Sequence, residues 1–316
     1  MQKRTLGSLF PVSALSLGGG GLGQVWGSTT RPEAVATVRE AIDSGITLLD
    51  LAPTYGNGEA ETVIGEAFAG ALPAGVHITT KHLLGNPPPA EVYDRLSASL
   101  AQSLGRMRLS RVDVFILHGM LGLDAPEGAT TRTSLALFRG SVIPAFERLR
   151  DEGRIGAWGI TAVGEPDAII EALADSSRPG VVQCIANLLD SPGGMKRFDG
   201  PARPRAIIAE ASRHGVGVMG IRAVQAGALT SALDRELPPE HPEAIDFARA
   251  GPFRALAAEI GQTPAFLAHQ YALAMDGVDT VVLGVKNREE LRECIAAAQS
   301  PMSAAVVAQI DSSAGR

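Results

Sequence analysis

Short apolar runs recur along this chain. Most stop at a polar residue and give way to a helical pattern. The runs cover residues 12–17, 47–51, 76–80, 112–117, 155–160, 181–186, 216–221 and 280–285. Between them apolar residues return every three or four positions, as in Val92, Leu96, Leu100 and Leu104, which is the period of one helix face. Continuously apolar strands are buried on both faces. Strands that alternate with helices lie parallel in one sheet.

About eight such units predict an α/β fold closed into a (βα)8 TIM barrel, with an open doubly wound sheet as the alternative. Runs at residues 3–6 and 9–14 flank Gly7-Ser8 and predict a short β-hairpin ahead of the barrel. No linker interrupts the pattern, so a single domain over 1–316 is expected. Thr30-Arg31-Pro32-Glu33 has the form of a capping box with proline in the first turn of a helix. Residues 123–133 and 223–250 have no period and are expected as loops. The final helix is expected to run through Ile295.

Net charge is −6. That argues against nucleic acid or an anionic membrane as partner, because both want a basic face. No apolar run reaches about 18 residues, so no membrane span is expected. The N-terminal apolar stretch is broken by Gly7, Ser8 and Pro11 and lacks the core of a signal peptide. Cys184 and Cys294 stand apart inside apolar stretches and are expected as reduced, buried thiols in a cytoplasmic protein. His77, His82, His214, His241 and His269 show no metal-ligand spacing, so no metal is expected.

Parallel barrel strands share one C-terminal rim, where active sites are built. The polar residues at the run ends are therefore informative: Asp50, Lys81, His118, Thr161, Asn187 and Arg222, with Tyr55 in the loop after Asp50. A phenol of pKa about 10 is a weak acid at neutral pH, and a nearby ammonium lowers that value. Lys81 is placed to supply the ammonium and Asp50 to hold it, leaving Tyr55 as proton donor. His118 is placed to orient a carbonyl oxygen by a hydrogen bond.

Gly18, Gly20 and Gly23 spell G-x-G-x-x-G, but no helix is expected until the Thr30 cap, which argues against a Rossmann finger. The loop Gly284-Val285-Lys286-Asn287-Arg288 runs into a helix start and is the better anion site. There Lys286 and Arg288 are placed to grip a 2′-phosphate. Glu290 is either a repelling carboxylate by the ribose or a partner of the Asn287 cap. Trp26 and the two long loops are expected to wall a substrate pocket.

Seven segments, in order, carry a resemblance: DLAPTYGNGEAETVIGEAF, ITTKHL, VDVFILHG, GAWGIT, VVQCIAN, VGVMGIRAVQAGALT and VVLGVKNREELREC. They resemble the aldo-keto reductases over almost the whole chain. The resemblance implies a catalytic tetrad of Asp50, Tyr55, Lys81 and His118, and a nicotinamide cofactor. NADP(H) is favoured and NAD(H) is possible. It implies that Gly19 and Gly20 approach the cofactor, that Thr161 and Gln183 bind its carboxamide, and that Ile221, Arg222, Gln225 and Gly227 follow the pyrophosphate. Gly284, Lys286, Arg288 and Glu290 would hold the adenosine end. The chain departs from the family pattern at Ala162, Arg222, Glu290 and Cys294. The expected activity is reversible reduction of a small aldehyde or ketone to an alcohol. The alternatives are an NAD-dependent sugar or alcohol dehydrogenase, a cofactor-binding regulatory subunit, and a Schiff-base lyase using Lys81.

Overall fold

In the computed structural model, which describes residues 1–315, the chain opens with an antiparallel hairpin of β1 (Lys3–Leu6) and β2 (Phe10–Ser13). The next strands are β3 (Leu15–Gly18), β4 (Leu48–Asp50), β5 (His77–His82) and β6 (Val112–Leu117). Two short strands, β7 (Met120–Gly122) and β8 (Arg132–Ser134), pair in parallel in a sheet of their own. Then come β9 (Ile155–Ala162), β10 (Val181–Ile185), β11 (Gly217–Ile221) and β12 (Thr280–Leu283). Strands β3–β6 and β9–β12 form a closed parallel barrel in sequence order. It closes where Val281 of β12 meets Leu15 and Leu283 meets Leu17.

Alternation along each strand divides the core in two. Leu48, Val114, Ile116, Val181 and Met219 meet inside the barrel, where Leu6 and Val12 of the hairpin pack against them. The opposite-facing residues, among them Leu15, Leu49, Ile78, Phe115 and Val182, join the helices in a larger outer cluster. The same alternation places the rim residues. Asp50 is two positions after Leu48, His118 two after Ile116 and Gln183 two after Val181, so each continues the inward face.

The run at 12–17 is not one strand. The hairpin arm ends at Ser13, Ala14 N–H donates to Gln2 O, and the barrel strand starts at Leu15. The expected loop 123–133 is a loop only through 131; Arg132 and Thr133 belong to β8. The stretch 223–250 contains the helix Pro242–Arg249, started by the His241 ring accepting from Glu243 N–H. A last helix, Ala304–Ser313, follows the one ending at Gln299. Its apolar face is short, and it is held by buried Ile310 and by the Tyr271 hydroxyl donating to Asp311. Among the described residues no helix is long and apolar enough to cross a membrane.

The glycines 18–23 also differ from expectation. A one-turn helix, Gly19–Leu22, opens directly after β3. Its small residues are explained by close approach. A Cβ on Gly23 would lie 2.5 Å from the Tyr55 carbonyl, and one on Gly19 would lie 3.2 Å from the Tyr55 ring. The glycines form the seat on which the Tyr55 turn rests.

Candidate active site

Four inward-facing residues converge at the C-terminal mouth. Lys81 is fully buried and Asp50 nearly so. An ammonium has three N–H donors, and Lys81 uses all of them: to Asp50 Oδ2 at 2.9 Å, Leu51 O at 2.8 Å and Tyr55 Oη at 3.2 Å. Asp50 Oδ1 accepts from the Thr79 hydroxyl at 2.6 Å and from Gln183 Nε2 at 2.8 Å. The carboxylate is therefore fixed by three side chains from two other strands, β5 and β10. Thr79 lies two positions before Lys81 on the inner face, so strand period alone marks it as a neighbour of Asp50.

Tyr55 is half-buried. Its ring meets His118 edge to face, with centroids 5.7 Å apart and planes at 88°. The His118 Nδ1 lies 3.4 Å from the Thr54 hydroxyl. Thr161 donates to Gln183 Oε1 at 3.4 Å. Thus Gln183 joins β9 to Asp50 across the mouth, and its amide N–H is engaged by the carboxylate.

Burial pushes the Lys81 ammonium down, but Asp50 and then Tyr55 attract its charge, and the net shift is upward. Burial pushes the Tyr55 phenol up by more than Lys81 pulls it down. The expected lowering of the phenol by Lys81 is therefore outweighed by desolvation, and Tyr55 holds its proton at neutral pH. Burial, then Lys81, then His82 push His118 down to about 3. Burial, then Arg95, push the neighbouring His82 down to about 4. Both rings are neutral in the fold.

This predicts acid lability with a definite sign. Below the ordinary imidazole value of 6.5 the unfolded chain binds a proton on each ring that the folded chain refuses until about 4 for His82 and about 3 for His118. Stability falls as pH drops through that window, by at most about 1.4 kcal/mol per pH unit per ring. Urea unfolding between pH 7 and pH 5 measures the slope. His118→Asn should make it shallower, and an unchanged slope would rule out the buried neutral imidazole.

The residues expected around a dinucleotide fall into two groups. Gly20 and Gly284 lie under the indole of Trp26: a Cβ on Gly20 would meet Trp26 Nε1 at 2.3 Å, and one on Gly284 would meet Cδ1 at 3.4 Å. Arg222 and Gln225 are held by carboxylates of the helix Pro242–Arg249. Arg222 donates to Gln225 Oε1 at 2.9 Å and to Glu243 Oε1 at 3.0 Å, while Gln225 Nε2 donates to Asp246 Oδ2 at 2.7 Å. Asn187 supports the same loop by donating to Arg222 O at 3.2 Å. Ile221 ends β11, and Gly227 sits in the 3-10 turn Gln225–Gly227 with φ of 92°.

At the start of the helix Arg288–Gln299 every cation has a carboxylate. Arg288 donates from Nε and Nη2 to the two oxygens of Glu33 at 3.1 and 3.0 Å, and its N–H donates to the same group. Glu290 accepts from Lys286 N–H at 2.9 Å and pairs with Nζ at 3.1 Å. Glu290 N–H in turn donates to the Asn287 cap. Glu33 therefore does not return to Thr30 as a capping box requires; Thr30 accepts from Glu33 N–H alone. No local signal links Glu33 to Arg288, because 255 residues separate them. Cys294 lies 3.6 Å from His269 Nε2 in the interior, and burial raises its thiol to about 12.

A family model described as "Aldo/keto reductase family" matches residues 14–314. The chain belongs to the aldo/keto reductase family. It is similar to L-galactose dehydrogenase of Arabidopsis thaliana, with 29% identity over 94% of this chain and 88% of that one. It is also similar to pyridoxal 4-dehydrogenase of Microbacterium luteolum, with 27% identity over 92% and 91% of the two chains. Among solved structures, the holo form of aldo-keto reductase AKR11C1 from Bacillus halodurans superposes with a TM-score of 0.75 and 25% identity. That match covers 99% of this chain and 96% of the other. As a member of this family the chain is an oxidoreductase, and the family generally uses NAD(P)H.

Proposed function

We propose that this protein interconverts a small carbonyl compound and its alcohol with a nicotinamide dinucleotide, and that Tyr55 carries the proton. One observation supports this most: a phenol oxygen 3.2 Å from the amine of a fully buried lysine, with the tyrosine ring edge to face with an imidazole. When bound, the dinucleotide supplies or accepts hydride at the carbonyl carbon. Negative charge then grows on the carbonyl oxygen. Tyr55 Oη donates its proton there, Lys81 Nζ stabilises the phenolate left behind, and Asp50 keeps Lys81 charged and in place. Neutral His118 orients the oxygen by a hydrogen bond from Nε2. In alcohol oxidation the same groups run in reverse.

The residues at the rim fit such a cofactor. Thr161 and Gln183 offer amide-matching polar groups beside Asp50, and Gly284 leads into a helix N-terminus. A Schiff-base role for Lys81 fits poorly, since an amine nucleophile must first lose its proton and Asp50 raises the lysine.

The adenosine end supports NAD(H) over the NADP(H) expected from Lys286 and Arg288. A 2′-phosphate would have to displace Glu33 from Arg288 and Glu290 from Lys286. A ribose diol only donates to such carboxylates. Together with the dehydrogenases it resembles, this favours a sugar or alcohol dehydrogenase reading. Trp26, half-exposed beside Gly284, is the reporter. Quenching titrations are expected to show NAD binding at least about tenfold (about 1.4 kcal/mol) tighter than NADP. Tighter NADP binding would return the phosphate role to Lys286 and Arg288. Failure of either dinucleotide to bind would remove the whole reading.

A further inference from the structure

We propose that Thr54 is a positioning residue that sets the tautomer of His118. The inference rests on the carbonyl-orienting role of His118 given above. The turn Ala52-Pro53-Thr54-Tyr55 is closed by Tyr55 N–H donating to Ala52 O at 3.1 Å, with proline at the second position as such turns favour. Two consecutive side chains leave this rigid turn in different directions. Tyr55 goes to Lys81, and Thr54 places Oγ1 3.4 Å from His118 Nδ1. Among the described residues the imidazole has no other hydrogen-bond partner.

A neutral imidazole has one N–H and one lone pair, and what one nitrogen bonds decides the state of the other. A hydroxyl can donate or accept. When Thr54 donates, Nδ1 is the acceptor and the proton sits on Nε2, where it can be given to a carbonyl oxygen. The reverse pairing turns the Nε2 lone pair toward that oxygen and repels it. Thr54 is exposed and borders a cleft of about 410 Å³ with Pro53, Asn57, His82, Leu83 and Ser99. When water donates to the exposed Oγ1, the hydroxyl proton is free for Nδ1. Contacts of this kind tighten when substrate closes the site.

The test compares wild type, Thr54→Val and Thr54→Ser. Histidine ring 15N spectra, assigned with His118→Asn, report the tautomer in the free protein. The expected result is Nε2–H His118 in wild type and Thr54→Ser, and mixed tautomers in Thr54→Val. Turnover should fall about tenfold (about 1.4 kcal/mol) in kcat for Thr54→Val, with KM for the carbonyl little changed, and Ser should restore it. An unchanged tautomer in Thr54→Val overturns the proposal. So does a loss confined to KM, which would make Thr54 a substrate contact facing the cleft. The spectra need no turnover, so they decide the role of Thr54 even if Tyr55 proves not to be the proton donor.

Discussion

Tyr55→Phe is expected to lower kcat for reduction of a reactive aldehyde such as 4-nitrobenzaldehyde by about 10²–10⁴-fold. Dinucleotide binding followed at Trp26 should be retained. The change removes one oxygen and leaves the ring in its seat against Gly19 and His118. The cost to folding is small, because the lost bond is one of three made by Lys81. A loss of about 1 kcal/mol is the scale of one such hydrogen bond. The comparison therefore separates chemistry from stability. Turnover at the wild-type level would show that the proton comes from elsewhere, and the functional reading built on the phenol would fall.

Lys81→Met should have the largest effect on both stability and rate. It removes the cation from a pair with Asp50 in which neither side chain is more than 3% exposed. The carboxylate keeps Thr79 and Gln183 as donors but loses its counter-charge. Removing one partner of a buried pair costs about 3–5 kcal/mol, because the remaining charge is left in a medium that solvates it badly. Urea unfolding should show that loss. Adding Asp50→Asn should recover much of it without recovering turnover, since neither change restores a cation beside Tyr55. An unfolding midpoint that stays at the wild-type value in Lys81→Met would mean that the pair is hydrated and that its control of the phenol is weak.

Most of the barrel was legible in the chain, and for a simple reason. A strand covered on both faces must be apolar along its length, so its end is visible as the first polar residue. Asp50, Lys81 and His118 were found in that way. What misled was local. The run at 12–17 looks like one strand because both the hairpin arm and β3 are apolar, and only the bond from Ala14 to Gln2 separates them. The helix at 304–313 gives a weak helical signal, because Ile310 is its one fully buried residue and Val306 and Val307 are only partly buried. The Tyr55 phenol shifts opposite to the sequence expectation. The sequence shows the ammonium beside the phenol, but the depth of burial that outweighs it appears only in three dimensions.

The pairings at the start of the helix Arg288–Gln299 and around Arg222 lie beyond sequence reasoning of this kind. Lys286 and Arg288 look like free cations at a helix start until Glu33, from a helix at the other end of the chain, is folded against them. Arg222 and Gln225 look like pyrophosphate contacts until the helix Pro242–Arg249 brings Glu243 and Asp246 under them. By itself, then, the sequence determined the barrel, the order of its strands and the identity of the polar groups at its mouth. Those follow from period, burial and chain order, which are local properties. Tertiary structure alone decided the direction in which the Tyr55 phenol shifts, the neighbour of His118 Nδ1 and the pairing of the cations at the last helix start. Each of these depends on how deeply a group is desolvated and on which distant carboxylate or hydroxyl reaches it.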